Sequence, residues 1–212
     1  MRRPIYFAVG LFVFAAITYC IYMYRRELGF ARPATTAASE SPGKPDLQPQ
    51  IPLVEWQAVD RASDGFKLQL PGSPEEARIP AYNERGGVEP VNMLVAAPEP
   101  ETIFAVAWAD HPPVERASIQ NAEKALDLAR NGALVRTQTI LTGESRAVVY
   151  GYPARQFSAR NDRGGVLTAR LVLAGSRLYM LIAAFPSASV RRDADVNRFF
   201  GSLELAAAGE NH

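Results

Sequence analysis

Histidine, cysteine and clustered carboxylates are the side chains that metal-binding and many catalytic sites use, and this chain of 212 residues has few of them. Its histidines are His111 and His212, and its single cysteine, Cys20, lies in an apolar N-terminal segment, so no intrachain disulfide can form. Zinc sites draw on several His, Cys or carboxylate ligands at close spacing. After Asp110-His111-Pro112-Pro113, only Glu115 lies nearby. We therefore expect no metal site, no catalytic site and no cofactor.

Other patterns that could carry chemistry are equally sparse. A Ser-His-Asp arrangement would have to use His111, since the chain has no second internal histidine. Phosphate-binding loops of the GxGxxG or P-loop type are absent from the sequence. The Arg-Gly-Gly triplets at 85–87 and 163–165 predict turns, and the carboxylate pairs at 75–76 and 99–101 predict solvated loops beside prolines. A hydrolase is therefore the least supported function.

The charge balance gives no sign of a nucleic-acid-binding surface. The whole chain has 23 Lys and Arg against 22 Asp and Glu. From Ile51 onward, the count is 17 basic against 19 acidic residues. Binding to a phosphate backbone requires a basic excess, so we predict no nucleic-acid partner.

Residues 4–24 form a continuous apolar run, PIYFAVGLFVFAAITYCIYMY, without a charged side chain. A helix of this length spans about 30 Å, the thickness of the hydrocarbon layer of a bilayer. Arginine pairs at 2–3 and 25–26 flank the run. A cleaved signal peptide would have a shorter apolar region that is followed at once by small residues. The sequence therefore predicts a transmembrane helix within an anchor segment at 1–28.

Residues 29–50 are rich in Ala, Pro, Ser and Thr and show no apolar period, which predicts a flexible linker stiffened by its prolines. The charges that flank the apolar run balance, so they do not decide the membrane orientation. A short N-terminal tail, a lone span and a large C-terminal domain are typical of a signal anchor. We therefore expect a single-pass membrane protein whose N-terminal helix contacts the lipid bilayer and whose domain is periplasmic or otherwise extracytoplasmic.

An α+β domain is predicted for residues 51–206, with a polar tail at 207–212. In residues 65–72, GFKLQLPG, apolar and polar side chains alternate ahead of a Pro-Gly turn, which indicates a half-buried strand. Gly175-Ser176 separates two later apolar segments and predicts a type II′ turn. The other predicted strands lie at 77–79, 91–97, 102–109, 134–141, 147–151, 155–159, 166–173 and 178–185.

Two helices are predicted between and after these strands. The first spans 118–131, because apolar residues recur at helical spacing and Asn131-Gly132 offers a left-handed stop. The second spans about 193–200 and is capped by Ser189 or Asp193. Its predicted core residues are Val196, Phe199 and Phe200. The order of elements predicts a largely antiparallel sheet flanked by helices.

The order of elements, the opening GFKLQLPG strand at 65–72 and the closing RFFGSL segment at 198–203 resemble the PsbP-like α/β/α sandwich. That family includes extrinsic photosystem II subunits and many uncharacterised bacterial envelope proteins. The resemblance covers residues 56–205, but Ser73-Pro74 stands where the family often has a bulky residue. It implies an α/β/α sandwich with a non-catalytic accessory or docking role, and it assigns no functional residue.

One segment has the composition of a recognition site. Residues 151–157, GYPARQF, place two aromatic side chains and an arginine around a proline. The alternative is that Tyr152 and Phe157 are core residues and that Pro153 marks a bulge or an edge. Tyr152 and Arg155 are our predicted partner-binding residues.

Together these features predict a membrane-anchored accessory or docking protein that is not an enzyme. The anchor would raise the effective concentration of the domain near an unknown protein partner, so that weak contacts suffice. The alternative function is a small-ligand sensor or carrier with a pocket between sheet and helix. Trp108 and Tyr179 are the predicted lining residues of that pocket.

Overall fold

A computed structural model describes residues 55–82, 88–110 and 119–205. The predicted transmembrane helix, the linker, His111, the 85–87 triplet and the tail at 207–212 lie outside these residues. Within the described ranges, no helix combines the length and the apolar character needed to cross a bilayer.

The described residues form strands and two helices, joined mostly by short turns. The strands are β1 (Trp56–Arg61), β2 (Phe66–Pro71), β3 (Glu75–Tyr82), β4 (Val88–Glu99), β5 (Thr102–Asp110), β6 (Ile140–Val149), β7 (Tyr152–Arg160), β8 (Val166–Ala174), β9 (Arg177–Phe185) and β10 (Glu204–Leu205). The helices are α1 (Ile119–Thr137) and α2 (Asp193–Gly201).

Most of the strands form one large antiparallel sheet. Its seven strands follow the order β3-β4-β5-β9-β8-β7-β6, and every neighbouring pair is antiparallel. A second sheet has the order β1-β2-β10, again with antiparallel pairs. The prediction of a largely antiparallel α+β domain with two helices is therefore confirmed.

Both faces of the large sheet are covered, and strand β5 shows why. Successive side chains of a strand point to opposite faces. The odd-numbered residues from 105 to 109 pack into a core with helix α1, which we call the α1 core. The even-numbered residues from 104 to 108 pack into a second core with α2 and the small sheet, which we call the α2 core. An apolar strand in the middle of the sheet thus requires a layer on either side.

The layer above the α2 core differs from the predicted sandwich. Helix α2 buries Val196, Phe199 and Phe200 there, as predicted. The small sheet covers the rest of that face through Phe66, Leu68 and the fully buried Leu70 of β2. The pairing of β1 and β10 with β2 was not predicted, because no residue of β1 is fully buried and β10 has only two residues.

Helix α1 ends later than predicted. It passes through Asn131-Gly132 and continues to Thr137, because Ala133 is completely buried in the α1 core. Gln138 then takes a positive φ of 51°, and its N–H donates to the carbonyl of Val135 at 3.3 Å. The N–H of Thr139 donates to the carbonyl of Leu134 at 3.0 Å, which completes a Schellman end. The strand predicted at 134–141 is therefore wrong over its first half.

The turns show two further outcomes. Gly175 has a φ of 61°, as the first central residue of a type II′ turn requires. The strand predicted at 147–151 is instead the end of β6, and Tyr150-Gly151 forms the tight turn into β7 with φ values of 52° and 83°.

Helix α2 begins after Arg192, which forms no side-chain capping bond, so capping by Ser189 or Asp193 was a wrong prediction.

We predict that Gln138→Gly raises the free energy of unfolding by about 0.5–1 kcal/mol, because glycine adopts a positive φ without the steric cost that other residues incur. Asn131→Gly, inside the same helix, is the matched control and lowers the free energy of unfolding by a few tenths of a kcal/mol. Urea denaturation measures both. Destabilisation by Gln138→Gly would contradict the position of the helix end.

Candidate functional site

Arg155 is the charged residue that the fold buries most deeply in the described part of the chain. Strand β7 points Arg155, Phe157 and Ala159 to the same face, toward helix α1. Arg155 is only 3% exposed. Burying a guanidinium has an unfavourable desolvation free energy unless charged partners surround it. The carboxylates around Arg155 therefore determine the properties of this site.

Three carboxylates bind the Arg155 guanidinium. Glu144 of β6 accepts a hydrogen bond from Nη1 at 2.6 Å. Asp127 accepts a second bond from Nη1, and Glu123 accepts one from Nη2. The Nε of Arg155 is buried and has no hydrogen-bond partner among the described residues. The guanidinium is therefore held at its end by carboxylates from two different elements.

The positions of these carboxylates follow from local periodicity. Glu123 and Asp127 are four residues apart on α1, so they lie on the same side of the helix. Helix α1 crosses β7 and β8, and this brings that side above Arg155. Glu144 is the register partner of Phe157, which lies two residues after Arg155 on β7. Glu144 is therefore diagonally opposite Arg155. The site therefore joins α1 to the β6–β7 hairpin.

Two further arginines complete what we call the Arg155 cluster. Arg130 of α1 binds Glu144 and approaches Asp127 at 3.2 Å. Arg146 of β6 binds Glu123 at 3.2 Å and is directly opposite Arg155 in the strand register. Three arginines thus face three carboxylates, and the cluster has no net charge.

Ion pairs fix the protonation states of Glu144 and Arg155. Burial disfavours the ionised form of Glu144, but hydrogen bonds from Arg130 and Arg155 outweigh burial and hold its pKa below the ordinary value. Burial likewise opposes the charge of Arg155, while Glu144 and Asp127 raise its pKa above the ordinary value. Both groups therefore stay charged near neutral pH. They are suited to holding elements together rather than to transferring protons.

The structure does not bring the two predicted partner-binding residues together. Tyr152 and Arg155 are three positions apart on β7, so they point to opposite faces of the sheet. Tyr152 is half-buried and packs at the margin of the α2 core, while Arg155 lies in its cluster on the other face. Partner contact by these residues stays a prediction, and Arg155 has a clear role inside the domain.

The two residues predicted to line a ligand pocket do lie together, in the α2 core. Trp108 and Tyr179 are register partners on β5 and β9 and are 2% and 3% exposed. The ring of Phe66 packs edge-on against both, with centroid distances of 4.9 Å to Trp108 and 5.7 Å to Tyr179. The position that a ligand would take beside these rings is therefore filled by a side chain of β2. Ligand binding there stays a prediction.

A polar contact fixes the edge of this aromatic group. The hydroxyl of Tyr179 donates to the carbonyl of Asp64 at 2.7 Å, and Arg177 donates to the same carbonyl at 2.7 Å. Burial raises the pKa of Tyr179, although the neighbouring Arg177 opposes this. Gly65 has a φ of 81°, and a Cβ there would lie 2.8 Å from the Tyr179 hydroxyl. The turn into β2 therefore requires glycine.

The Arg155 cluster was not recognised from the sequence, but a signal for it exists. Arg155 alternates with Phe157 and Ala159, so the strand period places an arginine on an apolar face. Glu123 and Asp127 have the spacing of neighbours on one side of a helix. A buried arginine requires carboxylates, and these two residues are the helical carboxylates that could reach it.

The remaining candidate chemistry is limited. Within the described ranges, no group of three or more His, Cys, Asp or Glu side chains is arranged to hold a metal ion.

The predicted turn at 163–165 is confirmed: Gly164 has a φ of 88°, and the side chain of Asn161 accepts a hydrogen bond from the N–H of Gly165 at 2.7 Å.

Fold and site thus define an antiparallel α+β domain whose most deeply buried charge is structural. No protein-family model and no curated protein matches the chain. Among solved structures, the chain is similar to the solution structure of cyanobacterial PsbP (CyanoP) from Synechocystis sp. PCC 6803. The match has a TM-score of 0.49 and 8% sequence identity and covers 74% of this chain and 96% of that chain. This is a likeness of fold alone.

We predict that Arg155→Ala lowers the free energy of unfolding by about 1.5–3 kcal/mol, because it removes a buried side chain and leaves three partly exposed carboxylates without their shared partner. Arg146→Ala is the matched control. It removes the exposed arginine opposite Arg155 and costs less than about 1 kcal/mol. Urea denaturation of both variants measures the difference. If Arg155→Ala is as stable as the wild type, the structural role of Arg155 is contradicted, and the residue is free to bind a partner.

Stability should also depend on pH through Glu144. Its pKa is lower in the folded chain than in the unfolded chain, so the folded state binds fewer protons in this range. The stabilisation is therefore present above the unfolded pKa and is lost as the pH falls through the folded pKa. We expect the free energy of unfolding to fall from about pH 5 downward. Glu144→Gln flattens this slope, and the exposed Glu75→Gln serves as the control.

Proposed function

We propose that this protein is a membrane-anchored docking protein, in which the N-terminal apolar segment holds a non-catalytic α+β domain near a membrane-associated protein partner. The observation that carries the proposal is the uncharged run at 4–24, followed by a proline-rich linker that leads into the domain. The Arg155 cluster supports the non-catalytic part, because the buried guanidinium of Arg155 binds three carboxylates of the domain itself.

The position of the first described residue supports a defined orientation of the domain. The carbonyl of Glu55 accepts a hydrogen bond from the N–H of Gly72 at 2.7 Å, at the end of the β1–β2 pair. The ring of Trp56 packs against Phe104, near the turn that joins β4 to β5, with a centroid distance of 5.9 Å. The described chain therefore begins at the end of the large sheet that contains the β4–β5 turn, which we call the linker end.

The opposite end of the sheet, which we call the distal end, lies away from Glu55 and Trp56. Strand β5 runs from the linker end to Asp110, which binds Arg177 at 2.6 Å beside the β8–β9 turn. The β6–β7 turn lies at this end as well, because Ala154 is paired with Val172 near the end of β8. Nine residues of β5 separate the two ends by about 30 Å. Tyr152, one of the predicted partner-binding residues, lies at the distal end.

Membrane tethering is tested first. The full-length chain should sediment with membranes and resist extraction at high pH. Phe12→Lys together with Ala16→Lys should release it, because each lysine at the centre of a span costs about 2.5–3.5 kcal/mol. Phe30→Lys together with Leu47→Lys adds the same charge within the linker and should leave the protein in the membrane fraction. Wild-type protein in the soluble fraction would contradict the proposal.

Docking is tested in the same membranes. A photo-crosslinking amino acid at Tyr152 should yield an adduct with a membrane-associated protein, which mass spectrometry identifies. The same amino acid at Arg78, an exposed position on β3, is the control and should yield at most background adducts. Equal adducts from both positions, or none from Tyr152, would contradict docking through the distal end.

A further inference from the structure

Strand β6 is an open edge of the large sheet. It is the last strand in the sheet order, and the first seven of its ten residues, 140–146, are exposed without interruption. Sheet edges that offer unpaired backbone groups invite pairing with another strand, and proteins usually protect them with proline, charges or a covering layer. The other edge, β3, has such protection, because it carries Pro80 and the exposed charges of Glu75, Glu76 and Arg78.

Strand β6 and its turn also contain most of the large apolar side chains that the described part of the chain exposes. Ile140 and Val148 are each 73% exposed, Tyr150 is 50% exposed, and Leu141 is 37% exposed. Only Val135 and Val190 of the described residues add to this set, and they lie elsewhere. Ten edge residues with apolar ends and no proline form a surface that fits another β-strand.

The charges of β6 indicate which strand fits. Its charged residues are Glu144 and Arg146, which lie on either side of Ser145 and point to the same face. If a second β6 aligns antiparallel about a two-fold axis through Ser145, Glu144 of each copy lies opposite Arg146 of the other. Opposite charges in directly paired positions stabilise an antiparallel pair. The strand is thus complementary to itself, as a two-fold interface requires.

The neighbouring positions agree with this register. Gly143 lies opposite Ala147 of the second copy, and a Cβ placed on Gly143 would meet no heavy atom within 4 Å, so space is open there. The register of β6 shifts between Leu141 and Gly143, so the regular pairing extends from Gly143 to Ala147. The exposed Ile140, Leu141, Val148 and Tyr150 flank this central segment, and a second copy would cover part of their apolar surface.

We propose that β6 pairs with the β6 strand of a second copy of this chain, antiparallel and centred on Ser145, so that two large sheets join into one. Arg146 is the residue that links the copies, because it is 76% exposed and binds Glu123 at 3.2 Å through Nε, and a guanidinium has further N–H donors for a second carboxylate. Glu144 is held in place by Arg130 and Arg155 and presents a fixed carboxylate to the Arg146 of the other copy. The pairing needs neither the membrane anchor nor another protein.

A cysteine at the centre of the pair tests the register. Ser145→Cys, in the full-length chain in detergent with Cys20→Ser, places two thiols at directly opposed positions, where a disulfide can form. We expect mild oxidation to convert most of this variant to a disulfide dimer. Ser73→Cys, exposed near the protected β3 edge, is the matched control and should give at least fivefold less dimer. Equal yields from the two variants would overturn the proposal.

Charge reversal at Arg146 tests the partner. In the Ser145→Cys background, Arg146→Glu places like charges opposite each other and should lower the dimer yield at least fivefold. Val148→Lys should lower it as well, while Arg163→Glu, the same charge change in an exposed turn, should not. Circular dichroism confirms that each variant is folded. An unchanged yield for both β6 variants, or disulfides formed only with another protein in membranes, would overturn pairing between copies.

Discussion

The central strands of the large sheet are apolar on both faces, and this constraint governs the rest of the architecture. Strands β5 and β9 bury nearly all of their side chains, so neither face can be left to solvent. Helix α1 covers one face, and α2 covers the other together with the small sheet. The outer strands are less apolar, and there the covering layers must be attached by other means. A binding surface on the large sheet can therefore lie only at its ends and edges.

The Arg155 cluster provides that attachment where the apolar contact of α1 ends. Helix α1 lies over β7 and β8, and beyond it the sheet continues to the exposed β6. Arg155 reaches Glu123 and Asp127 on the helix and Glu144 on β6, so one guanidinium connects three elements. A buried ion pair adds little net stability compared with an apolar contact, but it fixes geometry closely. The cluster therefore attaches β6 to α1 and β7 where the apolar contact of the helix has ended.

The sequence predicted the elements whose local signals agree with their packing. The alternation of Phe66, Leu68 and Leu70 and the glycine at 175 each indicated the observed structure, because side-chain period and turn geometry are local properties. The end of α1 was missed because burial of Ala133 outweighs the local preference of Asn131-Gly132 for a helix stop. The small sheet and the Arg155 cluster were missed for a different reason. Both depend on residues far apart in the chain, and period alone does not show which strand lies beside which.

The small sheet joins the first and the last strands of the described chain. Strand β2 lies between β1, near the start of the described chain, and β10, near its end, where Leu205 is paired with Phe66. A ribosome releases Phe66 long before Leu205, so one side of β2 has no neighbour until Leu205 has been synthesised. Closing so long a loop is also slow. The small sheet can therefore close only after nearly all of the described domain has left the ribosome, which makes its completion a late step of folding.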